Sequence, residues 1–385
     1  MAWPSEAATA QLLADLADGL ATRGWEVHVI AGGTGPAPSD RYTIHRTGGT
    51  ERHSGPLAQL RNYAEFLRAS RATLATHIRA GDVVVALTDP PQLASTLAPV
   101  VRKAGARLIV WVQDLYPDIL LAHVGRWLAP FLYPLTRERN RAWRASDQCV
   151  AVSEEMRRRI VAAGVPESAT ATIPNWAPVD LDHPPAPEDV ARVRARWNVS
   201  QHLVVAYSGN LGRVHQFDAI LGAAQILQHD ADLRFVFVGA GPRLPEVRAE
   251  VVRRKLENVS FEPPEPRANL APSLAAADLH LVSLRPGFEA LVFPSKFAGI
   301  LAAGRPTLFA GPPGSSITSF VDAQRCGLAV RPGDADGLAA AIRELRLDPE
   351  RRRAMGVAAR HAYTTHYTFS SALASWSALV RGSGR

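Results

Sequence analysis

Residues 286–306 read Pro286-Gly287-Phe288-Glu289-Ala290-Leu291-Val292-Phe293-Pro294-Ser295-Lys296-Phe297-Ala298-Gly299-Ile300-Leu301-Ala302-Ala303-Gly304-Arg305-Pro306. They follow an apolar run, Leu279 to Leu284, with the length and content of a buried strand. One carboxylate, Glu289, sits in a loop rich in glycine and proline. Pro294-Ser295-Lys296 then has the pattern of a helix start, with Ser295 offering a capping hydroxyl and Lys296 in the first turn. Phe297 to Ala303 is apolar and helical, Gly304-Arg305-Pro306 ends it, and Thr307 to Ala310 reads as the next strand. A carboxylate and a cation are thereby set at the carboxyl end of a strand, beside a helix N-terminus. Open α/β sheets bind ligands there, and free backbone N–H groups favour phosphate. Spacing alone gives equal weight to an ordinary strand–loop–helix connection.

On both sides of this stretch, strand-like and helix-like segments alternate, which implies parallel α/β architecture. In the first half the strands are Glu26–Ala31, Tyr42–Arg46, Asp82–Leu87, Arg107–Val112, Gln148–Val152 and Thr170–Asn175. Helices are expected at Ala8–Arg23, with Leu12, Leu13, Leu16 and Leu20 on one face, and at Arg61–Arg79. Ser153-Glu154-Glu155 caps a third. Residues 177–190 are rich in Pro and Asp and read as a linker. A second series follows, with strands Leu203–Ser208, Arg234–Val238, Val259–Glu262, Leu279–Leu284, Thr307–Phe309 and Gly327–Val330. Helices are expected at Ala335–Arg346 and Arg351–Val380. The expected division is 1–178, 190–362 and a tail, 363–385.

A chain of 385 residues is long for one core, and 47% hydrophobic with 21% charged residues describes a globular protein. No apolar run reaches the ~18 residues of a membrane span, and the N-terminus shows no signal pattern. Cys149 and Cys326 are far apart in sequence and read as buried thiols of a reducing, cytoplasmic compartment. The net charge of +7 suits nucleic acid, an anionic membrane or a phosphorylated substrate, and equally a coding bias towards Arg and Ala. No nucleic-acid-binding motif is present, so no nucleic-acid partner is expected. No His, Cys or carboxylate cluster has metal-ligand spacing, and Asp334-Ala335-Asp336 suits a helix cap, so no metal is expected.

Other stretches carry candidate chemistry. Tyr207-Ser208-Gly209-Asn210-Leu211-Gly212-Arg213-Val214-His215-Gln216-Phe217-Asp218 follows a strand; its glycines let backbone approach a ligand, and Arg213 suits phosphate. Phe237-Val238-Gly239-Ala240-Gly241-Pro242 and Pro263-Pro264-Glu265 are further strand-end loops. Trp111-Val112-Gln113-Asp114-Leu115-Tyr116-Pro117-Asp118 is a fourth. Taken singly, each also suits a structural turn or cap.

Together, Gln113–Pro117, Ser208–Asp218 and Glu289–Pro306 are similar to retaining glycosyltransferases of family four, which have the GT-B fold. The likeness is strongest to the branch that builds bacterial surface polysaccharides of the colanic-acid and O-antigen type. The resemblance covers nearly the whole chain and implies two Rossmann-like domains facing a central cleft, with the C-terminal helix crossing back to the N-domain. Donor-binding residues carried over are Gly209, Asn210, Gly212, Arg213, His215, Gly239, Gly241, Pro264, Glu289, Ser295 and Lys296. Arg213 and Lys296 would hold a diphosphate. His215 is near a position where the wider family has lysine, and either substitutes for it or the role is absent. Gln113, Asp114 and Glu289 are the catalytic candidates, Asp114 orienting a sugar hydroxyl or stabilising an oxocarbenium-like transition state. Ala8 and Thr9 resemble the acceptor-side loop.

Two features depart from the family. Its second glutamate is replaced by Phe297 or Gly299, depending on the alignment, and Met1–Glu6 begin where a first strand should already have passed. The implied reaction moves a sugar from a nucleoside-diphosphate sugar, a UDP-sugar first, to an acceptor hydroxyl with retention, the transferred group being hexosyl or N-acetylhexosaminyl. No cofactor is expected beyond that substrate. The implied acceptor is a lipid-linked glycan or a small molecule, and peripheral association with the inner face of the cell membrane is a further expectation. A secondary-metabolite glycosyltransferase and a catalytically silent sugar-nucleotide-binding protein stay open as alternatives.

Overall fold

The computed structural model describes residues 8–33, 39–47 and 56–382. Met1–Glu6, where a first strand is expected to be missing, lie outside the described residues. The chain divides into two compact units. Unit 1 comprises Met1–Asn175, Ala290–Phe293 and Ala372–Arg385; unit 2 comprises Trp176–Glu289 and Pro294–Ser371.

Unit 1 carries β1 (His28–Gly32), β2 (Thr43–Thr47), β3 (Val83–Leu87), β4 (Arg107–Val112), β5 (Gln148–Ala151) and β6 (Thr170–Thr172). All pairings are parallel. β1 and β2 form a two-stranded ribbon, and the other four form a sheet in the order β3-β4-β5-β6. From Leu108 on, β4 is fully buried, as expected of a strand covered on both faces. Its helices end and begin on local signals: Gly105 in the left-handed region closes Leu93–Ala104, and the Ser153 hydroxyl caps Glu154–Ala162 by accepting from Met156 N–H at 3.2 Å. Two distant segments complete the unit. Leu115 N–H donates to the Leu291 carbonyl at 3.0 Å, and Trp376 packs edge-on against Trp111 with ring centroids 4.9 Å apart.

Unit 2 carries β7 (Leu203–Ser208), β8 (Leu233–Val238), β9 (Val259–Glu262), β10 (Leu279–Ser283), β11 (Thr307–Ala310) and β12 (Gly327–Val330) in one parallel sheet. Its order is β12-β11-β10-β7-β8-β9. The chain runs outward from β7 through β8 and β9, then returns to the other side of β7 to lay down β10. The strand order therefore reverses between β7 and β10, and loops leaving their carboxyl ends part to leave a crevice. Asp334 caps the helix Ala335–Leu347 by accepting from Gly337 N–H at 2.8 Å, as its position before the helix suggests.

Two expectations need correction. Residues 177–190 are not a free linker: Leu181 is buried, Trp176 packs on Phe369 at 5.3 Å, and Asp182 accepts from the Tyr363 hydroxyl. Apolar side chains among the prolines anchor the stretch to unit 2. The tail is two helices, Pro349–His366 and Phe369–Arg381, interrupted at Tyr367, whose ring is buried against Phe297 and whose carbonyl accepts from Ala177 N–H.

Candidate functional site

The loop after β7 is laid on the loop after β8. Gly209 N–H donates to the Val238 carbonyl (2.8 Å), Leu211 N–H to Ala240 (2.8 Å) and Arg243 N–H to Leu211 (3.1 Å). This contact dictates glycine at two positions. A Cβ on Gly239 would lie 2.1 Å from the Gly209 carbonyl oxygen, and one on Gly241 would lie 2.5 Å from Asn210 Oδ1. Both also have positive φ. Loop-on-loop packing thus accounts for them before any ligand does. Arg243 ties the loop further, donating to the His215 carbonyl at 2.7 Å, and Arg285 donates to the carbonyl of Arg213 at 3.2 Å.

Lys296 enters this crevice from the helix Lys296–Ala302. Its stem passes under Gly209, where a Cβ would meet Lys296 Cε at 3.6 Å. Its Nζ lies 3.3 Å from the centroid of the Tyr207 ring, out of reach of solvent and with no hydrogen-bond partner among the described residues. Burial without a counter-ion drives its pKa well below the ordinary lysine value. A cation so placed is stabilised by an anion brought into the crevice. Ser208 Oγ and Ser283 Oγ, at the ends of β7 and β10, are likewise buried without partners. Arg213 is exposed and, among the described residues, forms no ion pair.

His215 does not substitute for a second lysine. Its ring is buried, and Nδ1 faces the Ser283 carbonyl at 2.6 Å, so Nδ1 carries the proton and Nε2 the lone pair. Burial, then the neighbouring Lys296, push its pKa down to about 3, and the empty site holds it neutral. Ser295 differs too: its backbone is already helical and its hydroxyl caps nothing, the first turn closing through Phe297 N–H on the Pro294 carbonyl. Glu289 accepts from Gly287 N–H at 3.1 Å, which folds its carboxylate onto its own loop. Pro264 is exposed beyond β9. The donor-binding candidates thus all belong to unit 2.

Asp114 and Gln113 lie beyond β4 in unit 1. The Thr88 hydroxyl clamps this turn, accepting from the N–H groups of Gln113 (3.1 Å) and Asp114 (3.2 Å). Gln113 is held in place, its buried amide exchanging two hydrogen bonds with Asn175, at 2.7 and 3.1 Å. Asp114 lines a hollow with Thr88, Gln92, Tyr116 and Arg139. Burial raises its pKa to about 6, with the charge of Asp89 adding to the effect. Thr9 lies inside the first turn of the helix Ala8–Ala21, half-buried, and Ala8 begins that helix. Among the described residues no group of His, Cys, Asp and Glu is placed to hold a metal ion.

A model of glycosyltransferase family 4 matches residues 9–182, and one of the group 1 glycosyl transferases matches residues 202–348. Between them they span both units. The chain is a glycosyltransferase whose first half resembles family 4 and whose second half resembles group 1. It is 27% identical over 292 residues to the "Probable glycosyltransferase WbjE" of Pseudomonas aeruginosa, covering 75% of this chain and 71% of that one. A GDP-mannose-dependent α-(1-6)-phosphatidylinositol monomannoside mannosyltransferase of Mycolicibacterium smegmatis is 28% identical over 272 residues, covering 69% and 68%. The crystal structure of Anabaena HepE in complex with UDP superposes with a TM-score of 0.75 at 17% identity, over 98% of this chain and 96% of the other. The fold of this glycosyltransferase is GT-B.

In each unit, several residues that support the candidate side chains have weak sequence signals. Tyr207 closes an apolar strand and gives no hint that its ring lies beneath the Lys296 ammonium. Asn175 and Thr88 are short polar residues at strand ends, a pattern shared with many turns. Arg243 is separated from the β7 loop by a whole helix and strand. Only the co-occurrence of a Gly-rich turn and Pro294-Ser295-Lys296 was distinctive, because both flank the reversal of strand order.

Proposed function

We propose that this glycosyltransferase moves a hexosyl or N-acetylhexosaminyl unit from a nucleoside-diphosphate sugar to an acceptor hydroxyl with retention of configuration. A UDP-sugar is the favoured donor. The role is in surface-polysaccharide or lipid-linked glycan assembly at the cytoplasmic face of the membrane. The observation that carries the donor assignment is the Lys296 ammonium, buried without a hydrogen-bond partner where the strand order reverses. A diphosphate supplies the missing anion, and Arg213 supplies a second cation from the loop after β7. The relatives support this chemistry: HepE has been solved with UDP and with UDP-glucose, while the mycobacterial relative is named for GDP-mannose.

In the proposed step the acceptor oxygen attacks the anomeric carbon on the face that the diphosphate leaves. The bond from that carbon to the β-phosphate oxygen breaks, and this oxygen takes the acceptor proton. Lys296, Arg213 and loop N–H groups stabilise the departing charge, so the scheme requires no metal. Asp114 hydrogen-bonds a sugar hydroxyl.

Thermal unfolding of the purified chain with UDP, GDP, dTDP and phosphate tests the donor site. At a hundred times Kd a site ligand stabilises by about 2.7 kcal/mol. The expected result is a shift with UDP that disappears in Lys296→Ala and shrinks in Arg213→Ala. A folded protein that responds to no nucleotide removes the assignment. Retention is read from the anomeric configuration of the product by NMR.

A further inference from the structure

The chain has three lysines, Lys103, Lys255 and Lys296. The first two are exposed, whereas the Lys296 ammonium is buried 3.3 Å from the centroid of the Tyr207 ring. Tyr207 is itself fully buried, one residue before the end of β7. Its hydroxyl donates to the Asn210 carbonyl at 3.0 Å, which ties the ring to the Gly-rich loop that follows the strand. Phe217 and His215 meet the ring edge-on, with centroids 5.1 and 5.9 Å away, and Phe237 lies tilted against it at 5.8 Å. The ring is thus held from several directions, and the ammonium rests on its face.

The charged and titratable groups around this pair offer the ammonium no counter-charge. His215 comes from the loop after β7, His280 from β10, and Arg243 from the start of the helix Leu244–Arg253. Burial, ahead of any neighbouring charge, pushes His215 down to about 3 and His280 to about 4, so both are neutral. Among the described residues no carboxylate is paired with Lys296. The electron-rich face of an aromatic ring attracts a desolvated cation, and here it is the partner the fold provides. Packing alone would ask only for a large apolar side chain at this position. It would ask neither for a ring face centred under the ammonium nor for a hydroxyl that fixes the ring to the loop.

We propose that Tyr207 is a positioning residue for the donor: its ring face holds the Lys296 ammonium in the empty crevice, so that the cation is in place when the diphosphate arrives. The inference rests on the donor site proposed above and adds the group that prepares it. A long, flexible side chain set in advance loses less freedom when it meets its ligand. Removing the ring face makes the charged form of Lys296 costlier while the site is empty, and the ligand must then bring the proton as well as the contact.

The test is NMR of the full chain labelled at the lysine ε-carbons, which gives one resonance for each of three lysines. The Lys296 resonance is the one missing from Lys296→Met. In the empty natural protein it is expected far upfield of the other two, displaced by the ring current of Tyr207. Tyr207→Phe keeps the ring face and loses only the hydrogen bond to Asn210, and the displacement persists. In Tyr207→Leu the displacement disappears, and the pH at which the resonance titrates falls by about one unit. UDP titrations of the same samples should converge at low pH and differ by about tenfold between the Phe and Leu variants at high pH. A Lys296 resonance at the position of the exposed lysines overturns the proposal. So does a titration unmoved in Tyr207→Leu, or an affinity loss equal at every pH, which marks a packing residue. If Tyr207→Leu does not fold, the displacement in the natural protein and in Tyr207→Phe still decides. A chain that binds UDP without the upfield resonance removes the role of Tyr207 alone. A chain with the upfield resonance that binds no nucleotide removes the donor site, and this role with it.

Discussion

Lys296 concentrates the tension between folding and function in a single atom. Its ammonium is taken out of water and set against the Tyr207 ring face. Because the folded, empty site holds its pKa below the unfolded value, Lys296 opposes folding at neutral pH. The opposition fades as pH rises towards the ordinary lysine value. Lys296→Met is therefore expected to leave the free protein at least as stable while weakening UDP binding by about 2–5 kcal/mol, read by calorimetry. The same logic predicts that, at pH values above the empty-site pKa, UDP binding takes up protons, seen as a dependence of the binding enthalpy on buffer ionisation, and that affinity falls as pH rises through that range. A binding enthalpy independent of buffer shows that Lys296 is already charged. Asp114 gives a second titration. With a pKa of about 6 it loses its proton as pH rises through that value, so kcat/KM should show a limb there. Asp114→Asn is expected to remove the limb; a limb that survives the change belongs to another group.

The loops after β7 and β8 act as one element. Their contact is backbone to backbone, with the glycines at the points of closest approach, and this stack fixes where Gly209 passes over Lys296. A methyl on Gly241 would meet Asn210 Oδ1 at 2.5 Å and the Leu211 carbonyl at 2.6 Å, and residue 241 has a φ of +149°. Neither neighbour is the free end of a long side chain. The expected outcome for Gly241→Ala is a loss of about 1–3 kcal/mol of stability, with a clear drop in UDP affinity although no ligand-facing side chain has changed. Denaturant unfolding and nucleotide titration of the same variant separate the two effects. Unchanged affinity would show that the loop stack does not set the crevice.

Across the whole chain, legibility followed the range of the interaction. The alternation of strands and helices, the caps at Ser153 and Asp334 and the place of Lys296 at a helix start are written in local pattern, because short-range hydrogen bonds and periodicity create them. What local pattern does not encode is partnership at a distance. Gln113 reads as a polar residue at a strand end until Asn175, far along the chain, is seen to occupy its amide. Ser295 reads as a cap until the backbone proves already helical. The same range effect governs the tail. Residues 372–385 belong to unit 1 although unit 2 precedes them in the chain. Trp376 is fully buried against Trp111, Arg107 donates to the carbonyls of Val380 (2.9 Å) and Leu379 (3.2 Å), and Arg23 donates to the Ser377 hydroxyl at 2.7 Å. Losing a buried tryptophan alone costs about 3–5 kcal/mol, and each of these hydrogen bonds adds about 0.5–1.5. Such a sum is a large fraction of a domain's stability. Truncation after Ser371 is therefore expected to lower the melting temperature and to expose unit 1 to limited proteolysis. Unit 2, whose donor crevice has no residue in the deleted segment, should still bind UDP at temperatures where the shortened protein is folded. Trp376→Ala makes the milder version of the same change, with a smaller fall in melting temperature. If the truncated protein melts like the full chain, the tail is an appendage; if it loses UDP binding while folded, the crevice depends on unit 1 after all.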